Sequence, residues 1–294
     1  MTLYKTTITP TSNFSTALKG DTLFGQMCWA VRFAFGNDRL NELLSDYNIN
    51  PFLIVSDGFA SGYLPKPTMP SLYLNEDRQK KNENRKKIWL TSKQLQSGEF
   101  NQAKTDKAIG NHDISKTVVR NSVNNKTSMT GGDGFDPYGE HEIFMSAKDI
   151  YFLIRDDFKL DELKQSLELV SGMGYGRDSS IGKGRFQIGS LEEMSFGNDS
   201  AAYMALGPFS PNGLECKDLF YEPFTRFGKS GASRANANPF KKPILLANSG
   251  AVVCFEDSKK IEYTGMAIRD ISAYKDTVHQ GYSIVVPIKE LSNG

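Results

Sequence analysis

GMGYGRDSSIGKGRF, residues Gly172–Phe186, holds five glycines, two arginines and a lysine. The residues before it, DELKQSLELVSGMG, place Leu163, Leu167 and Val170 at i, i+4 and i+7 with acidic residues in the first turn, the pattern of an amphipathic helix with a favourable dipole arrangement. The residues after it, GRFQIGSL, read as a strand. A dinucleotide fingerprint follows a strand and opens a helix, so this helix–loop–strand context excludes that reading, and no Walker sequence is present. Two readings stay open. The glycines make tight turns between a helix and a central strand, or they form an anion cradle. In the cradle, backbone N–H groups of Gly174, Gly176, Gly182 and Gly184 approach a phosphate, Arg177, Lys183 and Arg185 supply charge, and Ser179 and Ser180 supply hydroxyls.

Upstream, LYKTTI reads as a first strand. GDTLFGQMCWAVRFAFG reads as a helix with Asp21 as N-cap and Gly36 as its stop, apolar nearly all round and so buried on more than one side. Its start, KGDT, is either an ordinary Asp cap or a helix N-terminus that meets a phosphate, with Lys19 as the better contact. LIVSDGFASGYL reads as two short strands around a turn, and PKPTMP interrupts regular structure. From Asn75 to Lys126 the chain carries twelve Lys/Arg against six Asp/Glu, with few apolar residues. Such a run is a solvated or mobile insertion, or a basic arm in which Trp89 stacks on a base. MTGGDGFDPYGEHE is turn-forming, and EIFMSAKDIYFLIRDD reads as two strand pieces.

The order strand, helix, strands, insertion, strand, helix, glycine loop, strand suits a split βαβ, ferredoxin-like sandwich of the α+β class. From about residue 191 the strand candidates AAYMALG, AVVCFED and YSIVVPI, with a second basic loop at RFGKSGASRANANPFKK, read as a smaller domain. Net charge over the 294 residues is +1, so a polyanion site must come from local clustering. Three separated cysteines make neither a disulfide framework nor a metal pair, which points to a reducing cytoplasm. The N-terminus lacks the pattern of a leader, and the most apolar segment, LFGQMCWAVRFAF, is short and carries Arg32, so a soluble intracellular protein is expected.

Catalytic groups are sparse. His112, His141 and His279 form no metal-spaced pair, and neither an HExxH nor a Ser–His–Asp signature is present. Asp133, Asp136, Glu140, His141 and Glu142 read as turn residues or as a metal site, and His112 as a loop histidine or a base on an RNA 2′-hydroxyl.

GDTLFGQMCWA, SDGFASGYLPKP, VVRNSVNNKTSMTGG and GYGRDSSIGKGRF, in this order, resemble the RAMP superfamily of CRISPR systems, and within it the Cas-five group that provides subunit four of type III Csm complexes. The resemblance covers most of residues 1–190 and continues weakly in NPFKKPILLANSGAVV. It implies two ferredoxin-like (RRM-like) domains, 1–190 and 191–294, the first with a basic thumb-like insertion at about 75–126 and the glycine loop at 172–186. It implies binding of the 5′ repeat-derived handle of crRNA, contacts with the large Cas-ten-type subunit and the first backbone RAMP subunit, and no nuclease activity, cofactor, metal or membrane. By resemblance the RNA-facing residues are the glycine loop together with Arg120, Asn121, Asn124 and Lys126, the two asparagines reading base edges; Lys19 joins them from the helix-start reading. The alternative is a Cas-six-like, metal-independent endoribonuclease. That family carries its glycine loop close to the C-terminus, whereas here more than a hundred residues follow. A metal-dependent target nuclease using Asp133 or Asp136 is a third reading.

Overall fold

The structure, a computed structural model, describes residues 1–131, 136–197, 199–229, 240–274 and 276–290. Asp133 and the central part of the second basic loop (230–239) lie outside them.

Strand β1 (Thr2–Pro10) leads into helix α1 (Gly20–Leu44). Gly36 does break the helix, with φ of 89°, but helical turns resume beyond it, so α1 continues past the expected stop. Lys19, not Asp21, is the N-cap; Asp21 lies in the first turn. Three short strands follow where two were expected: β2 (Leu53–Val55), β3 (Phe59–Ala60) and β4 (Leu64–Pro65).

The basic segment is not one mobile arm. Its first part folds onto the body through α2 (Lys81–Asn84), β5 (Trp89–Leu90), α3 (Ser92–Ser97) and α4 (Asp106–Ile109). Of its few apolar residues, Leu90, Leu95, Phe100 and Ala103 are buried in the main core. Trp89, expected to stack on a base, packs half-buried against that core and donates from Nε1 to Asp106 Oδ1 at 2.8 Å. What projects is a hairpin of β6 (Ile114–Arg120) and β7 (Tyr138–Phe144).

β8 (Lys148–Ile154), buried along its whole length, then enters the sheet, α5 (Leu160–Met173) crosses it, and β9 (Phe186–Ile188) and β10 (Glu192–Met194) close it. The strand order is β10-β1-β8-β2, antiparallel throughout, with β9 also pairing with β1 and β3 with β8. That is the order of a split βαβ sandwich. Leu163, Leu167 and Val170 of α5 are buried, as their spacing predicts.

The rest of the described chain is all strand: β11 (Ser200–Ala205), β12 (Asp218–Phe220), β13 (Pro223–Arg226), β14 (Ile244–Ala247), β15 (Val252–Lys259), β16 (Tyr263–Gly265) and β17 (Tyr282–Pro287). Five of these form a sheet ordered β12-β15-β11-β17-β16. No helix is found among the described residues beyond Ile181, so this half shows no ferredoxin-like helix pair. The main apolar cluster runs from one half into the other, joining Leu53, Ile54 and Phe152 to Met204, Val252 and Ile284. Among the described residues no helix is long and apolar enough to cross a membrane.

The two halves are also joined by a buried amide. Gln280 Oε1 accepts from the Val55 N–H and its Nε2 donates to the Val55 carbonyl, both at 2.8 Å. A side chain thus supplies the hydrogen bonds that a neighbouring strand would give to β2. Gln280→Ala strands a donor and an acceptor in the core and is expected to destabilise the fold by about 2–4 kcal/mol, measured by denaturant unfolding.

Candidate nucleic-acid interface

Residues 172–186 turn the chain from α5 back into the sheet, and they do so by self-contact. The Tyr175 N–H donates to the Gly184 carbonyl at 2.8 Å, bringing the two arms of the loop together. A Cβ on Gly184 would lie 2.1 Å from the Tyr175 carbonyl oxygen, and one on Gly174 would lie 2.3 Å from that of Lys183, each glycine having positive φ. Only glycine fits either position. The Tyr175 side chain lies buried beneath the start of α1, accepting from the Lys19 N–H at 2.9 Å and donating to the Ala17 carbonyl at 2.8 Å.

This closure corrects the cradle reading. The glycine N–H groups are already committed within the chain: Gly174 to the Val170 carbonyl at 2.8 Å, Gly176 to Gln26 Oε1 at 3.2 Å, Gly182 to the Ser179 carbonyl at 3.0 Å and Gly184 to the Asn13 carbonyl at 2.8 Å. The backbones of Arg177 and Arg185 are held by Thr16 Oγ1 at 3.0 Å and Ser12 Oγ at 2.9 Å. The glycines serve close packing, and the loop offers a phosphate its side chains instead.

Lys183 is not one of those side chains. It is 4% exposed, with Nζ 2.6 Å from Glu140, 3.3 Å from Glu142 and 4.0 Å from Asp178. Arg120 pairs with the same two glutamates from the neighbouring strand of the hairpin. Burial works against the charge on Lys183, but its hydrogen bonds to Glu140 and Glu142 prevail and raise its pKa. The Lys183 hydrogen bond, with Arg120, holds Glu140 below the usual carboxylate range; burial of Glu142 opposes ionisation, yet Arg120 and Lys183 lower it too. Glu140 and Glu142 are therefore occupied as ion-pair partners, which removes them from the metal reading. Asp136 is exposed, and among the described residues no group of three or more His, Cys, Asp or Glu is placed to hold a metal.

The start of α1 is likewise filled from within. Asp57 accepts from the Gly20 N–H at 2.9 Å and from Lys19 Nζ at 2.7 Å, so a carboxylate of the chain takes the place of a phosphate at the helix N-terminus. Lys19 Nζ also donates to Asn248 Oδ1 at 3.0 Å and lies over the Phe224 ring, so it ties the halves together rather than standing free. Asp21, one residue inside, is buried and held by Arg226, at 2.6 Å and 2.5 Å, and by His279 Nε2 at 3.3 Å. Burial opposes its charge, but the hydrogen bonds from His279 and Arg226 pull its pKa well below the carboxylate range.

Exposed cationic and polar groups remain around the loop and the hairpin. Arg177 is 57% exposed with a single ion pair to Asp178 at 3.1 Å, and Arg185 and Ser180 are exposed, with Ser179 half-buried. Beyond β6, Asn121 and Lys126 are exposed, whereas Asn124 Oδ1 accepts from the Lys126 N–H at 2.9 Å inside a turn. Val119, Val123, Met129 and Tyr138 expose apolar surface at the same end of the hairpin. His112 is exposed, its N–H donating to Ser146 Oγ at 3.0 Å, while the His141 ring meets Ser115 Oγ at 2.9 Å. Sequence reasoning missed Asn13, Ser12, Thr16 and Gln26, which hold the loop; their only signal is position, in the link between β1 and α1 and on the helix itself.

No family model matches the sequence, and no curated protein matches it. Solved structures do. A chain in the crystal structure of a Csm1-Csm4 cassette in complex with pppApA matches with a TM-score of 0.64 at 15% identity, over 100% of both chains. The cassette in complex with AMPPNP gives 0.63 at 16% identity, again over 100% of both. A chain in the Csm3-Csm4 subcomplex of the type III-A CRISPR-Cas interference complex gives 0.59 at 15% identity, over 99% of this chain and 100% of that one. The fold is thus shared with a chain of each of these complexes. Csm4 is the component named in all three, and the fold is Csm4-like.

Two outcomes test the geometry. Gly184→Ala is expected to cost about 2–4 kcal/mol in denaturant unfolding, because the new methyl meets backbone at a positive φ. The two lowered carboxylates contribute stability that is lost as pH falls through their folded pKa values, beneath the ordinary glutamate value, and the raised lysine contributes stability that is lost as pH rises through its folded pKa, above the ordinary lysine value. Protection of the β6 and β7 amides, taken relative to their intrinsic exchange rates, should therefore fall at both ends of that window and hold between them.

Proposed function

We propose that the chain is a non-catalytic subunit of a Csm-type, type III CRISPR interference complex, acting in antiviral defence. It binds the 5′ repeat-derived handle of crRNA and bridges the large Cas-ten-type subunit to the backbone RAMP subunits in the cytoplasm. The observation that carries this is the end-to-end match of the whole chain to structures in which Csm4 is paired with Csm1 in one case and Csm3 in another. In this reading residues 1–190 form the ferredoxin-like RAMP domain and 191–294 a smaller C-terminal domain of the same ancestry, with its strands kept and helices absent from the described residues.

The geometry supports RNA binding through side chains. Arg177, Arg185 and Lys126 neutralise phosphates, with Ser179 and Ser180 as hydroxyl partners, and Asn121 reads a splayed base edge. Lys19, Lys183 and the glycine N–H groups hold the scaffold instead, as does the Asn124 side-chain oxygen. A partly neutralised surface of this kind leaves room for protein partners on a chain of net charge +1.

The test is binding of the purified protein, alone and co-purified with its two partner subunits, to RNA bearing the repeat of the neighbouring array, in EDTA. The expected result is retention of the RNA with steep salt dependence. Arg177→Ala with Arg185→Ala should lower the slope of log K against log salt by about 0.7 for each phosphate left without its arginine. Specific cleavage that disappears in His112→Ala would establish the endoribonuclease instead, and no RNA retention with or without the partners would overturn the proposal.

A further inference from the structure

The β6–β7 hairpin leaves the body of the protein with little burial along either strand. On one side it is attached by two backbone hydrogen bonds, Phe14 N–H to the Ile143 carbonyl at 2.8 Å and Ile143 N–H to the Phe14 carbonyl at 2.7 Å. The bridge is isolated, and Ile143 and Met145 beside it pack against the core, so this attachment holds the base of the hairpin and leaves its far end to be held elsewhere. The second attachment is by side chains. Glu140 and Glu142 are two apart on β7 and so share one face, and their cross-strand partners are Val118 and Lys116. Arg120 joins them on that face and pairs with both glutamates, which also meet Lys183 from the glycine loop.

We propose that Lys183 is a positioning residue. It holds the hairpin at a fixed angle over the glycine loop and so sets where Asn121 and Lys126 meet RNA, without itself touching a phosphate. The proposal rests on the RNA-binding reading for its consequence, but the latch itself is a property of the chain alone. The buried ammonium is the element that makes two carboxylates tolerable near each other and out of water. Remove it and Arg120, on the exposed side, is left to neutralise both, so the glutamates hydrate by lifting away from the loop. The loop, in turn, cannot follow the hairpin, because Gly174 and Gly184 lock it against its own backbone. The glycines give rigidity, the lysine transmits it, and the hairpin receives it.

The experiment uses the full chain with Lys183→Met, which keeps the aliphatic stem, and separately with Glu140→Gln and Glu142→Gln together. Hydrogen exchange is read in free protein. Amides of β6 and β7 should exchange about tenfold faster or more in both variants, while those of β8 and α5 stay as in the wild type. Unchanged hairpin exchange would overturn the latch, whatever RNA does. Binding is then measured to the repeat RNA. Lys183→Met should weaken it, and adding Asn121→Ala with Lys126→Ala to Lys183→Met should weaken it little further, because the hairpin contacts are already lost; full additivity would mean a contact of Lys183's own and overturn the positioning role. The double glutamine variant decides by sign. It makes the protein more positive, so simple electrostatics tightens binding, whereas loss of position weakens it. Tighter binding by the double variant would overturn the proposal. Should the wild type retain no RNA, the proposed function fails and the exchange result still decides the latch.

Discussion

Gly184 passes the Tyr175 carbonyl at a distance that no side chain permits, and much of the site depends on that passage. With the two arms of the loop in contact, Tyr175 goes beneath the first turn of α1 and Lys183 goes inward to meet the hairpin. Arg177 and Arg185, flanking the contact, are left outward. One backbone constraint thus sorts three neighbouring cations into one structural and two available groups. Composition alone counts them as equals.

A similar sorting occurs at the start of α1. The positive end of a helix macrodipole, two cations and two carboxylates meet there, and they neutralise one another: Asp57 with Gly20 and Lys19, and Asp21 with Arg226, with His279 beside it. The arrangement resembles an anion site in its parts but is closed by the chain's own carboxylates. Because Arg226, Asn248 and His279 come from the second half, what would otherwise attract a ligand instead joins the two halves. Burial makes these pairs costly to break by removing one partner, whatever their net worth as a set.

Local patterns in the sequence are sufficient for the sandwich. The spacing of Leu163, Leu167 and Val170, the strand read in LYKTTI and the helix–loop–strand context of the glycines each report on nearest neighbours along the chain, and the structure places them accordingly. The failures are of another kind. Lys183 reads as a phosphate ligand because its partners, Glu140 and Glu142, lie some forty residues upstream, where the sequence passes from turn to strand and offers no sign of a lysine partner. Lys19 misleads for the same reason, its acceptor Asp57 being remote. The insertion looks solvated because its buried apolar residues, Leu90, Leu95, Phe100 and Ala103, are too scattered to form a period yet enough to anchor it. Short strands such as β12, β13 and β16 exist through pairing with distant partners and carry little pattern of their own. A sequence shows which residues bear charge; which charges are already spoken for is a matter of tertiary contact.

The amide of Gln280 on Val55 has a bearing on how the protein is made. The two residues are 225 positions apart, so during synthesis β2 is finished long before the group that covers its outer side has been added. Throughout that interval the ribosome presents a nascent sandwich with one hydrophobic strand edge open, the kind of surface on which chains pair wrongly with each other or recruit chaperones. Expression of the first half by itself would leave that edge permanently uncovered, and the chain's natural safeguard is simply to be completed.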